Sequence, residues 1–437
     1  MKLNADLHCH SGASGGVGNL DIQKVAETMP LKGIELLGTG DCLHPAWNAT
    51  LKEILNETSE GIFTSTFNSV IKFILQTELI FTCSVETGRK SVHIVFLFPS
   101  FEVAEKITAL FEKWDVKNTI GRPFVKCDDK KDVAKKLYEM KKIDELIEII
   151  PAHVMTPQGV FGSDNPINYL NEFFGDAEEL IYAVETGLSA DPIILGLIPE
   201  LDKRTLISNS DAHSHHLARL GREFTTLNIK DLTYSAIIKA IRTNDIIRTA
   251  EFNPAEGRYF LTGHRAGKTG HGNKFCVFSP KFTPKNKRCP ICGKKITVGV
   301  LERALELNIA QGEDRELGYL PPNSRSFVHM VPLVEILAES HGIKTTTSKK
   351  IIEEYQQIVT VLENECEMWF LEPATIETKL NGIIEDSLIQ AIIEVRKGNF
   401  TFQPFGFDGT YGKLQIGQKH DYLNVNICPK GPQKTLI

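Results

Sequence analysis

Residue types suited to holding metal recur along the first half of the chain, each at or next to an apolar run. The first is ADLHCHS, with Asp6, His8 and His10. Residues two apart on a strand share a face, so His8 and His10 can grip one ion together. GTGDCLHP then offers Asp41 and His44, Glu86 follows FTCSV, and His93 opens VHIVFLF. His153 follows IEIIP, and NSDAHS supplies Asp211 and His213 after LISNS. Any one of these is ordinarily a satisfied polar residue at a strand end. Their repetition at the C-terminal ends of successive strand-like runs has no structural explanation. Carboxylates mixed with imidazoles suit Zn, Mn or Fe, with Mg assisting. Bound ions of this kind lower the pKa of water and neutralise phosphoryl charge, so hydrolysis needs no Ser or Cys nucleophile. Cys9, between the two histidines, points to the opposite face and reads as a core residue.

A second cluster lies in FCVFSPKFTPKNKRCPICGKK. Cys289-Pro-Ile-Cys292-Gly has the form of a zinc knuckle, and Cys276 is a third thiol. His271, five residues before Cys276, is the choice for the fourth ligand, with His264 as the alternative. One structural zinc would fold a loop-rich segment that has no core of its own. This segment is basic: Arg258, Arg265, Lys268, Lys274, Lys281, Lys285, Lys287, Arg288, Lys294 and Lys295 are opposed only by Glu256. Lys281, Lys285, Lys287 and Arg288 are therefore candidate DNA-phosphate contacts. Arg219 and Arg222, in LARLGRE, could bind phosphate or make structural ion pairs.

These clusters need elements to position them. GIELLGTGD, LIFTCSVET, VHIVFLFP, IEIIPAHV, LIYAVETG and TLISNSDAH read as strands. FEVAEKITALFEKW and KDVAKKLYEMKKIDELIE read as helices between them. Such alternation predicts an α/β domain over residues 1–250 with a parallel sheet, open or closed into a barrel, and polar residues at the strand ends. The basic segment 256–300 breaks the rhythm. Residues 301–437 form a helical and mixed C-terminal part: VLERALELNIAQG, VPLVEILAES and KKIIEEYQQIVTVLENECEMWFL read as helices, and FTFQPFGFDGTYGKLQIG as strand and turn. A chain of 437 residues exceeds one compact core. Its 42% hydrophobic and 24% charged content is that of an ordinary globular protein. No apolar run is long enough for a membrane span, and MKLNADLHCHSG lacks a signal-peptide core, so an intracellular, cytoplasmic location is expected. A net charge of −6 argues against indiscriminate coating of nucleic acid but allows a local basic patch.

In order and spacing, DLHCHS, GTGDCLHP, the Glu86/His93 pair, His153 and SDAH resemble the motifs of the polymerase and histidinol phosphatase (PHP) superfamily. The resemblance implies a distorted barrel of seven βα units holding two or three metals. It places His8, His10, Glu86 and Asp211 on the first metal as the catalytic set. Glu86 would bridge to a second, with His93 and His153. Asp41, His44 and His213 would approach a third. Many members have the Asp and His of the second motif adjacent; here Cys42 and Leu43 separate them, so either Asp41 or His44 could be the ligand. VETGLSADP, SNSDAHS, LGRE, CPICGKKITVGVLERALEL and FDGTYGK extend the likeness over nearly the whole chain to the endonuclease Q family. That family's resemblance implies a DNA repair endonuclease cutting 5′ of deaminated bases, such as uracil and hypoxanthine, and of abasic sites. A small-molecule phosphatase on the same barrel, or an inactive DNA-binding adaptor, are the competing readings. Trp47, Trp369, Phe402, Phe405 and Phe407 read as core residues rather than base-stacking platforms. The tail from Gln433 through Lys434 and Thr435 to Leu436 and Ile437 resembles the start of a sliding-clamp motif without its aromatic pair; the alternative is a plain disordered tail.

Overall fold

The computed structural model describes residues 1–14, 20–322, 324–419 and 421–429. The tail with the likeness to a clamp motif lies outside the described residues. Among the described residues no helix is long and apolar enough to cross a membrane.

The fold is mixed α/β. The strands that matter for the site are, in chain order, β1 Lys2–Asp6, β2 Leu36–Gly38, β3 Leu55–Ser59, β4 Ile62–Ser65, β5 Lys72–Val85, β6 Gly88–Phe98, β7 Phe124–Lys126, β8 Glu148–Pro151, β9 Ala183–Glu185, β10 Thr205–Ile207, β11 Phe224–Asn228 and β12 Ile246–Phe252. They are followed by β13 Thr262–His264, β14 Cys276–Phe278 and β15 Ser326–Met330. β1, β2 and β5 are parallel neighbours, and β9 and β10 pair in parallel. The expectation of a parallel sheet fails at the middle. β5 and β6 form one long antiparallel hairpin, and β8 is antiparallel to β6. A two-residue turn, Glu86-Thr87, joins Val85 to its pairing partner Gly88, and a connection that short can only reverse the chain.

β8 is tied to β9, and β10 to β1, mainly by loops and side chains. Val154 N–H donates to the Glu185 carbonyl (3.2 Å) and Leu7 N–H to the Asn209 side chain (2.7 Å). Asp6 accepts from the Ser210 and Gly221 amides, both at 2.9 Å, so this carboxylate staples β1 to the loops after β10 rather than facing the histidines. Burial pushes its pKa up to about 6 despite those bonds.

The helices begin where the sequence caps them. Asp21 accepts from two amides at the start of Ile22–Lys32, which ends at Gly33 with φ 90°. Ser100, Asp129 and Thr233 cap Phe101–Lys113, Lys130–Lys141 and Tyr234–Arg242 in the same way. Val300–Ala310, Leu333–Ser340 and Lys349–Val361 form as their apolar spacing predicts.

The C-terminal part is sewn onto the first. β15 extends the main sheet by pairing in parallel with β12, Arg248 opposite Ser326 through Phe252 opposite Met330. Lys32 and Glu365, both fully buried, meet at 2.9 Å across the junction, and the Lys32 ammonium also donates to the Leu217 carbonyl (2.8 Å). Removing one partner strands a buried charge. Glu365→Ala should therefore destabilise the protein by about 3–5 kcal/mol in urea unfolding, whereas exposed pairs such as Lys349–Glu353 are worth well under ~1 kcal/mol.

Candidate metal centre and its rim

Two groups of three side chains converge at one end of the sheet: His8, His10 and Asp211, and Glu78, His93 and His153. His8 Nε2 lies 3.2 Å from His10 Nε2, and His10 Nε2 lies 3.1 Å from Asp211 Oδ1. Glu78 sits between the groups. Its Oε1 is 2.8 Å from His93 Nδ1 and 3.3 Å from His153 Nε2; its Oε2 is 3.6 Å from His10 Nε2. That Oε2 is buried without a hydrogen-bond partner. A buried carboxylate oxygen that has only the His10 imidazole (3.6 Å) and the Arg122 guanidinium (3.7 Å) near it, neither close enough to donate, fits a site whose cations complete it.

Glu78 corrects the sequence expectation for Glu86. The apolar run LIFTCSV suggested a strand ending just before Glu86, but β5 is a 14-residue strand. Glu86 lies exposed in the hairpin turn, about 25 Å further along the strand than Glu78. The chemistry-bearing acid is inside the strand. Its register sets Ile80 opposite His93, which leaves Glu78 and His93 two residues apart diagonally and on one face.

Asp41 and His44 also differ from expectation. Asp41 is buried and accepts from the Ser11 amide (2.8 Å) and hydroxyl (2.6 Å), with His10 Nδ1 at 3.4 Å. It orients His10 from behind. His44 caps the helix Pro45–Ile54, its Nδ1 accepting from the Trp47 amide (3.4 Å), and so points away from the cluster. His213 stays at the rim, its ring 4.5 Å from that of His10 and its Nδ1 buried without a partner. Burial holds its pKa down at about 4, which leaves a neutral imidazole with a free lone pair.

Glu185, within VETG but without a role in the sequence reading, holds His8. Its oxygens lie 3.0 and 3.1 Å from His8 Nδ1, and it accepts from the Asn209 amide (3.0 Å) and the His153 backbone (2.8 Å). Carboxylates behind metal-facing histidines fix the ring and raise its basicity. Asp41, His153 and Asp211 all have positive φ (45°, 31° and 45°), a conformation disfavoured for residues bearing a Cβ. Strain of this sort persists where surrounding contacts over-determine the backbone, and here three instances surround one site. Glu185→Gln should weaken metal binding roughly 10–100-fold, read by competition with a chromophoric chelator, with the fold unchanged by circular dichroism.

The cluster opens into a cavity of about 210 Å³ whose rim carries Arg122, Arg222, Arg258, Tyr259 and Tyr411. Arg222 is buried; its Nε donates to the Ser210 carbonyl (3.1 Å), while one terminal nitrogen, Nη1, is buried with no partner. Arg219 is ion-paired to Glu335 (3.4 Å) and, with Arg258, flanks the Tyr411 ring at 5.7 and 5.6 Å. Arg122, Arg258, Tyr259 and Tyr411 were not predicted as site residues, because distant segments bring them together. A second cavity of about 350 Å³ shares Arg258 and Tyr259 with the first and adds Arg265 and Lys268, the latter paired with Asp408 (2.6 Å), together with Asp164, so the two form one groove in which basic groups outnumber acidic ones.

The thiol cluster forms, with one exchange. His264, His271, Cys289 and Cys292 place ligand atoms within 4.8 Å of one another. His264 Nδ1 is 3.4 Å from Cys292 Sγ, and His271 Nε2 is 3.2 Å from Cys289 Sγ. His264, the alternative in the sequence reading, occupies the position expected for Cys276. The two residues sit opposite each other on β13 and β14. The Cys276 thiol lies 3.6 Å from Cys289 Sγ, within the same small apolar cluster as Cys289, Phe278 and Ile296, but is not one of the four whose ligand atoms all converge. The basic residues near it are partly occupied. Lys287 pairs with Glu302 and with Glu306 (3.2 Å), Lys281 with Asn424, and Arg288 donates to the Gly293 carbonyl (3.0 Å). Among the described residues only Lys285 of the four is exposed with no such partner.

No protein-family model matches the chain. An uncharacterized protein of Methanocaldococcus jannaschii is 32% identical over 242 residues, 53% of this chain, which thereby spans only 28% of that relative. The uncharacterized protein YqxK of Bacillus subtilis is 25% identical over 95% of this chain and 99% of its own. A crystal structure of the lesion-specific endonuclease PfuEndoQ from Pyrococcus furiosus aligns with TM-score 0.76 at 28% identity, covering 95% of this chain and 96% of that one. A structure of endonuclease Q with a 27-mer duplex bearing an abasic lesion at the active site aligns with TM-score 0.78 at 27% identity, covering 98% and 99%. The likeness to the endonuclease Q family is therefore carried by the fold of nearly the entire chain as well as by its motifs.

Proposed function

We propose that this protein is a metal-dependent endodeoxyribonuclease of DNA repair that cuts the phosphodiester 5′ of abasic sites and of deaminated bases such as uracil and hypoxanthine. The observation that carries the reading is Glu78: a buried carboxylate joining two histidine-rich triads beneath an arginine-lined mouth. Residues 1–250 are read as a distorted PHP-type barrel, 256–300 as a zinc-bound segment and the remainder as a DNA-binding part. His8, His10 and Asp211 would hold one divalent ion and Glu78, His93 and His153 a second, with His213 at the rim. Ions bound there supply activated water and neutralise phosphoryl charge. The chain's own groups position the substrate. The free Nη1 of Arg222 donates to a phosphoryl oxygen, and Arg122, Arg258 and Arg265 line the path of the backbone. A damaged or missing base costs less to unpair, which favours lesions at a recessed site.

The test is cleavage of a 5′-labelled duplex carrying a single abasic site, with Mn²⁺ or Zn²⁺, against the intact duplex and against p-nitrophenyl phosphate. A product ending just 5′ of the lesion, with little turnover of the small ester, is expected. Cleavage of the small ester alone would leave the phosphatase reading standing. DNA affinity should fall steeply with added salt as the groove's arginines and lysines displace counterions; an affinity indifferent to salt would argue against the groove.

A further inference from the structure

Back to back with the metal mouth lies a cavity of about 250 Å³ that shares none of its lining. One layer of backbone separates them. Ser189 and Tyr259 face the metal side, while Asp191 and Phe260 face the other. The Tyr259 amide donates to the Ser189 hydroxyl (3.3 Å), so the partition is a linked pair of segments. Five rings, Phe400 among them, wall the second cavity. Phe260 packs edge-on to Tyr422 (5.2 Å) and to Phe405 (6.4 Å), and Phe402 completes the wall. Phe402 and Phe405 are buried in the protein, as the sequence suggested, yet one side of each borders open space.

The polar lining is specific. His329 Nε2 is 2.8 Å from Asp191 Oδ2, which fixes the imidazole's orientation. Asp191 is itself held, because its Oδ1 accepts from the Ile194 amide (2.8 Å). His329 Nδ1 has no partner among the described residues. An aromatic box with an oriented imidazole, next to the Thr401 hydroxyl and the Asn253 amide, has the two features that a flat heterocycle uses: faces to stack on, and an edge that exchanges hydrogen bonds. The volume lies just below the usual ~300–1,000 Å³ of small-molecule sites. That accommodates a base but not a whole nucleotide, so the sugar and phosphate would remain outside, on the side of Lys419.

We propose that this cavity is a second subsite for one neutral nucleobase, stacked among Phe260, Phe402, Phe405 and Tyr422 and read at its edge by His329. The base comes either from DNA bound in the groove, for instance the unpaired base opposite a lesion, or from a free nucleoside. Only the DNA source rests on the nuclease reading.

Two fluorescent probes separate these sources: 2-aminopurine riboside, and a duplex with 2-aminopurine opposite an abasic site, each titrated with the full chain. Stacking in the cavity quenches the fluorescence saturably. His329→Ala removes the edge contact, and Ala255→Met fills space from the lining. Each variant should weaken the quenching affinity tenfold or more. His10→Ala, in the metal cluster, should leave it unchanged while abolishing any cleavage, so loss of the nuclease reading and loss of this one register separately. A response to the riboside alone assigns the cavity to free nucleosides, and a response to the duplex alone assigns it to DNA. No saturable quenching of either probe overturns the proposal. So does equal quenching by His329→Ala that melts like the parent protein, and this holds even if Ala255→Met fails to fold.

Discussion

Glu78→Gln should abolish cleavage of abasic duplex, with a loss on the order of 10²–10³-fold or more, the scale of removing one preorganised charged group from a water-excluded site. The substitution keeps the shape and removes a charge that lies against the histidines of both triads. Metal content by mass spectrometry should fall with it. Glu86→Gln should leave both activity and metal content unchanged, because Glu86 is exposed in the β5–β6 turn. An essential Glu86 beside a dispensable Glu78 would overturn the assignment of Glu78 as the shared ligand. Metal loading should also depend on pH in a definite direction. In the metal-free pocket His8 is pushed up to about 10: burial opposes its charge, but Glu185 and then Asp211 and Glu78 outweigh burial. His10 is pushed up to about 9 against burial by Asp211 and Asp41. A metal ion must displace these protons, so affinity should weaken in acid and strengthen as pH rises toward those values.

The second large effect is expected at the thiol cluster. Cys289→Ser removes a ligand from a segment with little core of its own, where structural zinc commonly contributes about 10–16 kcal/mol of apparent binding energy. Residues 256–300 should become sensitive to limited proteolysis, bound zinc should drop, and affinity for abasic DNA should fall. Cys276→Ser should retain zinc, because its thiol lies outside the four ligand atoms that all converge. His264→Ala should behave like Cys289→Ser. Full zinc retention in His264→Ala, with loss in Cys276→Ser, would restore the ligand set that the sequence suggests.

How legible this was depended on what each residue's neighbours along the chain reveal. His8, His10, His93, His153 and Asp211 could be picked out because they follow or open apolar runs, and all five converge. Glu78 could have been found. It is the one carboxylate within FILQTELIFTCSV, and an acid inside an otherwise apolar strand is costly unless partnered. The assumption that barrel ligands sit at strand ends drew attention to Glu86 instead. The sequence suggests Cys276 as a ligand and offers His264 only as the alternative to His271; that His264 joins the group instead depends on the pairing of β13 with β14, and register between short strands is not set by local sequence. His44 was indistinguishable from a ligand until its helix was seen to need a cap. Arg122, Tyr259 and Tyr411 carry no local signal, because their role arises from loops more than a hundred residues apart meeting at one mouth.

The parallel pairing of β12 with β15 bears on how the molecule can be made and divided. On the ribosome, a nascent chain that has emerged as far as Phe252 still lacks the strand that covers this edge, which arrives only with Ser326–Met330 after residues 256–300 have been synthesised. Until then the row of unpaired amides and carbonyls along Ile246–Phe252 is a template for any passing strand. A recombinant fragment ending at residue 250 would keep that edge open permanently, and Lys32 would lose Glu365 as well. Such a fragment should accumulate as inclusion bodies, whereas co-expression with the remaining C-terminal piece should recover soluble material by supplying the missing strand in trans.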